Sequence, residues 1–328
     1  MIFTKPSVPA GEKPPKITTE KHSRNLYARQ NILMAVLITA LYLLGSYIFT
    51  GLRSDQVTLA AIFNILFFSS ALTRKFITGF SIFLLYWVLF DWMKAFPNYL
   101  FNEVSIKEIY EAEKSMFGIH TVQGKLTPNE YLALHQSATA DIISGIFYMC
   151  WVPLPWGYAV YIFFKNRRGF FHYALAFFLM NMIGFIVYYV YPAAPPWFVS
   201  QFGFDFIPGI PGNTAGLARF DALTGTDIFA SIYNKSSNVY AAMPSMHAGD
   251  IFLATVFTYK NKSRITMLLF TIFAIGICVS AVYTNHHYVL DVVAGISCAL
   301  LSIFLLRIFL RSTNAGKKFM NFLISKTT

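Results

Sequence analysis

Tyr288-Val289-Leu290-Asp291-Val292-Val293-Ala294-Gly295-Ile296-Ser297-Cys298-Ala299-Leu300-Leu301-Ser302-Ile303-Phe304-Leu305-Leu306-Arg307-Ile308-Phe309 contains only two charged residues. As a helix rising about 1.5 Å per residue, this run crosses the ~30 Å hydrocarbon core of a bilayer. Seven more apolar runs precede it, at 31–51, 57–73, 76–93, 141–164, 171–191, 246–260 and 264–284. Most approach the roughly 20 residues a spanning helix needs. The runs 57–73 and 246–260 are short, and 57–73 is the weakest candidate. Pro153 and Pro155 should kink their helix, a break that neighbouring helices accommodate in a bundle.

Composition agrees with this pattern. The 328 residues are 56% hydrophobic and 12% charged, where a soluble domain carries about 25% charged residues. The expected fold is all-α: a polytopic transmembrane bundle of about eight spans around a six-helix core. The formal charge of +11 does not point to nucleic acid. The basic residues sit in short segments between apolar runs, as topology determinants and headgroup contacts do. Cys150, Cys278 and Cys298 all lie within apolar runs without metal-ligand spacing, as small buried hydrophobes.

Eight spans place five basic groups on one side. They are Lys5 to Arg29, Arg74 with Lys75, Lys165 to Arg168, Lys260 to Arg264, and Arg311 to Lys326. The positive-inside rule makes that side cytoplasmic. The chain then divides into a flexible basic tail (1–30), N-terminal transmembrane helices (31–93), a non-cytoplasmic loop (94–140), a transmembrane core (141–310) and a basic tail (311–328). The Val104–Phe117 stretch reads as an amphipathic helix lying on the membrane or as a lid over a lipid entrance. Asp91 and Asp141 read as span-boundary residues, and Asn234-Lys235-Ser236 is a glycosylation sequon.

Two histidines then fall on the non-cytoplasmic side, each where a polar loop meets an apolar run. His247 lies in Met243-Pro244-Ser245-Met246-His247-Ala248-Gly249. His287 follows His286 and precedes Asp291 by four residues. Ionisable groups at a membrane boundary are costly, so they mark function. Spacing i, i+4 lets Asp291 accept from one imidazole nitrogen of His287 and leave the other as nucleophile or base. Ser245 is a candidate N-cap, and the helix start there attracts an anion such as phosphate. Asp250 either hydrogen-bonds to His247 or faces the bundle interior.

A phosphate site also needs positive charge. Arg219 lies in the small-residue loop Pro211-Gly212-Asn213-Thr214-Ala215-Gly216-Leu217-Ala218-Arg219-Phe220-Asp221, where it either meets a ligand with Asp221 nearby or simply pairs with Asp221. Tyr191-Pro192-Ala193-Ala194-Pro195-Pro196-Trp197 is a stiff membrane exit with Trp197 suited to the interfacial belt. His, His and Asp could bind a metal, but no third ligand stands at close spacing, so no metal or other cofactor is expected.

Pro244-Ser245-Met246-His247 and His287-x-x-x-Asp291 resemble two blocks of the type-2 phosphatidic acid phosphatase superfamily. The phosphatase branch carries an Arg six residues before the later His, where this chain has Ala281. It also opens with a Lys and an Arg-Pro pair, where this chain has Gly184 and Tyr191-Pro192. The order and spacing over about 141–309 look like the sphingolipid synthase branch, and most closely like the inositol phosphorylceramide synthases. The chain is short beside fungal members, as a bacterial relative would be. That resemblance implies transfer of phosphoinositol from phosphatidylinositol to ceramide with release of diacylglycerol. His287 would be nucleophile, His247 general acid and base, and Arg219 and Ser245 the phosphate ligands. It further implies an inner-membrane protein whose site faces the periplasm, or the Golgi lumen in a eukaryote. The alternatives are a lipid phosphate phosphatase or another lipid headgroup phosphotransferase.

Overall fold

The computed structural model describes residues 26–122, 124–234, 238–260 and 263–328. The first 25 residues of the basic tail, Lys235 and Ser236 of the sequon, and Lys262 lie outside the described residues. The chain begins with helices α1 (Arg29–Thr50), α2 (Ser54–Ser69) and α3 (Ala71–Trp92). A first loop holds α4 (Lys107–Phe117), a hairpin of β1 (Ile119–Thr121) and β2 (Gly124–Leu126), and α5 (Pro128–Ala133). Helices α6 (Ala138–Met149), α7 (Pro153–Lys165) and α8 (Arg167–Val190) follow. A second loop carries α9 (Pro196–Phe202), α10 (Leu217–Thr224) and α11 (Ile228–Tyr233). The chain closes with α12 (Met246–Lys260), α13 (Arg264–Tyr283), α14 (Val289–Ser312) and α15 (Asn314–Ser325).

Among the described residues, six helical segments are long and apolar enough to cross a membrane: Arg29–Thr50, Ala71–Ala95, Ala138–Lys165, Arg167–Val190, Arg264–Tyr283 and Val289–Ser312. The two short runs form α2 and α12, of 16 and 15 residues. Ser70 moves the boundary inside the run 57–73: its hydroxyl accepts from Thr73 N at 3.1 Å, so residues from Ala71 begin the next helix. The segment at 141–164 breaks into α6 and α7 at the prolines, with Pro153 opening the second helix, where its missing N–H costs no bond.

The bundle wears its apolar side chains outward. Leu33, Leu37, Leu41, Leu44 and Ile48 of α1 are exposed, as are Ile265, Leu268, Ile272, Ile275 and Val279 of α13. Stripes at helical spacing that face away from the protein are covered by lipid; this is an integral membrane protein. Inside, Phe83, Phe163, Phe170 and Phe177 pack as an aromatic core between α3, α7 and α8.

Helix α12 lies against α8, α13 and α14, with Ala248, Ile251, Leu253 and Ala254 shut off from solvent. Its start crosses α14 closely. A Cβ built on Gly295 would stand 2.0 Å from the carbonyl oxygen of Ser245, so only glycine permits that approach. The crossing is tied by Ser245 N donating to the Asp291 carbonyl at 2.8 Å.

The loops are packed structures. Trp197 is 4% exposed, and its backbone N–H donates to the Asn285 carbonyl at 3.0 Å; it is a core residue rather than part of an interfacial belt. Helix α4 does not lie free on the membrane surface either, since Ile109 and Glu113 are buried against the protein. Cys150, Cys278 and Cys298 are free thiols, the last of them buried.

Candidate active site

The stiff exit from α8 sets the position of the site. Ala193 bridges two distant stretches of backbone: its N–H donates to the Tyr240 carbonyl at 2.9 Å, and Ala194 N donates to the Ser105 carbonyl at 3.0 Å. Ser105 N in turn donates to the Pro192 carbonyl at 2.8 Å. These bonds hold the strand-like segment that ends at Ala242. The Ala242 carbonyl faces His287 Nδ1 at 2.9 Å. Asp291 Oδ2 stands 3.5 Å from the same nitrogen. Both neighbours are acceptors, so Nδ1 carries the proton and Nε2 presents its lone pair in the neutral ring.

The i, i+4 pair therefore meets at Nδ1, and the Ala242 carbonyl shares that nitrogen with it. However, α14 begins at Val289, and Tyr288 is its extended N-cap, so His287 lies outside the helix. The carboxylate bonds more closely to Tyr288 N, at 2.8 Å. The backbone carbonyl, at 2.9 Å, is the nearer acceptor of the Nδ1 proton, and the Asp291 carboxylate stands beside it at 3.5 Å.

His247 meets the free nitrogen. Its Nδ1 lies 3.0 Å from His287 Nε2. Because that Nε2 accepts, His247 Nδ1 donates and its own Nε2 is left as acceptor. Tyr148 and Trp151 flank the His247 ring, with centroids 4.6 and 4.3 Å away. His286, next along the chain, stacks on Tyr233, meets Tyr148 at a tilt, and faces the Thr214 carbonyl at 3.0 Å through Nε2. Burial, and next the electrostatic effect of the adjacent His287 side chain, push its pKa down to about 3.

The remaining expected site residues fall into three groups. Ser245 caps α12 only loosely, with Ala248 N 3.5 Å from its hydroxyl. Asp250 is buried and accepts from Asn181 Nδ2 at 3.2 Å, facing the bundle interior rather than pairing with His247. Asp221 accepts from Phe229 N and Ala230 N at 3.2 and 2.9 Å, which ties the start of α11 and occupies both oxygens. Arg219 does not pair with Asp221. Its Nε donates to Asp141 Oδ1 at 2.7 Å, and its Cζ lies 5.5 Å from the Tyr283 ring centroid. Tyr283 OH donates to the same Asp141 oxygen at 2.9 Å, while Arg219 Nη2 is buried without a hydrogen-bond partner. Asp141 is therefore an anchor rather than an ordinary boundary residue. Asp91, at the other such position, accepts from Arg53, Gln56 and Lys94.

Tyr148 follows Asp141 by seven residues, about 10 Å along α6. The Arg219 pair and the His247 contact thus sit on one helix, two turns apart. Tyr148, Trp151, His286, Asn129 and Glu113 escaped the sequence reading. Nothing in local spacing singles out two aromatics in an apolar run, and the two loop residues act across more than 150 positions. Among the described residues, no group of three His, Cys, Asp or Glu side chains is placed to hold a metal ion.

The PAP2 superfamily profile matches residues 125–305. The chain is 42% identical over 276 residues to the phosphoinositol dihydroceramide synthase of Bacteroides thetaiotaomicron, covering 84% of this chain and 90% of that protein. It is 31% identical over 140 residues to the inositol phosphorylceramide synthase catalytic subunit of Schizosaccharomyces pombe, covering 42% of this chain and 33% of the fungal one. The inositol phosphorylceramide synthase of Candida albicans is 29% identical over 166 residues, covering 48% and 35%. No solved structure matches the chain.

Proposed function

The chain belongs to the PAP2 superfamily, and from that premise we propose that it is a membrane transferase moving phosphoinositol from phosphatidylinositol to ceramide or dihydroceramide. The observation that carries this reading is the meeting of His247 and His287 at 3.0 Å from distant stretches of chain. The 42% identity to a phosphoinositol dihydroceramide synthase supports the choice of headgroup and acceptor.

In the proposed first step, His287 Nε2 attacks the phosphodiester phosphorus. The bond from phosphorus to the diacylglycerol oxygen breaks, and that oxygen takes a proton from His247. A phosphoinositol group is then bonded to His287. The Nδ1 proton of His287, held by the Ala242 carbonyl with Asp291 behind it, supports the positive charge that develops on the ring. In the second step His247 removes the proton of the ceramide primary hydroxyl. The alkoxide attacks phosphorus, the P–N bond breaks, and inositol phosphorylceramide leaves. Amides at the start of α12 stabilise the phosphate oxygens. Arg219 supplies positive charge along the approach, with Nη2 unoccupied by any protein acceptor.

Ala281 stands where the phosphatase branch has an arginine, and the site is walled by Tyr148 and Trp151. An apolar wall limits water, which would otherwise turn transfer into hydrolysis. The positive-inside distribution supports a site on the non-cytoplasmic face, the periplasm in a bacterial inner membrane. The test is product analysis. Purified protein with labelled phosphatidylinositol and dihydroceramide should form the inositol phospholipid of the acceptor together with diacylglycerol. Release of free phosphate from phosphatidic acid, with no sphingolipid product, would make the protein a phosphatase instead.

A further inference from the structure

The link between α13 and α14 carries both His286 and His287, and two side chains from the first non-cytoplasmic loop grip it. Asn129 Nδ2 donates to the Val282 carbonyl at 2.8 Å and to the His287 carbonyl at 3.0 Å. Glu113, with no solvent exposure, accepts from Val289 N through Oε1 and from Leu290 N through Oε2, both at 3.0 Å. Those amides belong to the first turn of α14 and have no partner within the helix. The N-cap position that usually serves them is held by Tyr288, while Asp291 is engaged with the N-cap's own amide. Burying a carboxylate is costly, and burial raises the pKa of Glu113 against the lowering effect of its two amide donors. A surface helix needs no such group. Its place at the root of the His287 segment explains the arrangement.

We infer that Glu113 is a positioning residue for the phosphoryl transfer, and that loop 94–140 is an integral part of the active site. The carboxylate fixes the first turn of α14, and Asn129 fixes the residues before it. Together with the Ala242 carbonyl they leave the His287 imidazole one orientation. This inference rests on His287 being the attacking group. It assigns the loop a task beyond covering the site: a small shift of the α14 start would carry Nε2 off the line of attack. A misplacement of about 1 Å can cost on the order of 100-fold in rate.

The experiment uses the full chain in lipid nanodiscs with phosphatidylinositol and dihydroceramide. Wild type, Glu113→Gln, Glu113→Asp and Asn129→Asp are compared for kcat, KM, unfolding temperature and hydrogen exchange over 286–292. Glu113→Gln keeps size and one acceptor but sets an amide donor against a backbone N–H. The expected result is a kcat lowered roughly 10- to 100-fold, with KM for either lipid within about threefold. The folded fraction should stay intact at the assay temperature, and exchange at 289 and 290 should quicken. Asn129→Asp should fall in kcat in the same way. A Glu113→Gln enzyme within twofold of wild-type kcat overturns the inference. So does a loss of activity that merely tracks loss of folded protein, including failure of every variant to fold. If the wild type makes no inositol phosphorylceramide, the functional reading fails instead, and the variants are then judged on the product the wild type does release.

Discussion

His247 Nδ1 and His287 Nε2 stand 3.0 Å apart, closer than a phosphorus atom between them permits. A near-attack nitrogen lies about 3–3.5 Å from phosphorus, and the leaving oxygen needs a further hydrogen bond of about 2.8 Å to its proton donor. Under the proposed mechanism the two nitrogens must therefore separate to about 6 Å or more when donor lipid binds. A structure with a vanadate or phosphonate analogue in the site should show the rings parted, with Nδ1 of His287 still on the Ala242 carbonyl. Rings that stay in contact around a bound analogue would defeat the in-line arrangement.

The two histidines should fail differently. His287→Ala removes the proposed nucleophile, so no labelled phosphoinositol should become bound to protein and transfer should stop. His247→Ala keeps the proposed nucleophile but removes the proposed acid for the diacylglycerol oxygen, and should lower turnover by about 10²- to 10⁴-fold. Rapid quench with labelled phosphatidylinositol separates the cases. A labelled intermediate in His287→Ala would remove His287 from its assigned role.

Gly295 permits the crossing that brings the histidines together. Gly295→Ala places a methyl group against the Ser245 carbonyl, 2.0 Å from its oxygen before any relaxation. Overpacking of this kind costs about 1–3 kcal/mol, and here it also pushes apart the helices that carry His247 and Asp291. Activity should fall more steeply than the unfolding temperature. Normal turnover in the Gly295→Ala enzyme would show that the close approach is dispensable.

Arg219 is oriented by Asp141 and Tyr283. Arg219→Lys cannot both bond to Asp141 and reach a phosphate, because a lysine lacks the forked donors. Its KM for phosphatidylinositol should rise by about tenfold or more, with a smaller change in kcat. Asp141→Asn should move KM in the same direction by freeing the guanidinium. If neither variant alters KM, Arg219 serves only the loop.

His286 sets a pH dependence of stability. Its folded pKa is pushed down to about 3, below an ordinary histidine near 6.5. The unfolded chain therefore binds the proton first. Stability from this residue is fully present above about pH 6.5 and is lost as pH falls toward 3. Replacing His286 by Gln should flatten that acid limb while preserving a donor to the Thr214 carbonyl. An unchanged limb in thermal unfolding from pH 7 to 4 would place the sensitivity elsewhere.

The gap between expectation and structure follows the range of each interaction. Apolar runs set the all-α membrane class, because a spanning backbone must satisfy its own hydrogen bonds within about 20 residues. The Ser245–His247 helix start and the link at His287 could be read from a few neighbouring residues. Asp221 and Asp141 could not. Which carboxylate holds Arg219 depends on how α10 lies on α6, and the partner proved to be 78 positions away.

From the sequence came the class of the molecule, the chemistry-bearing residue types and their position at membrane boundaries, since periodicity and short spacing suffice for those. The fold alone decided which groups touch. The Ala242 carbonyl joins Asp291 at the His287 ring, and lies nearer to it, because His287 precedes the first turn of α14. Glu113 reaches that turn across 176 positions because loop 94–140 folds back onto it. Such contacts arise from packing between remote segments, and no local pattern along the chain encodes them.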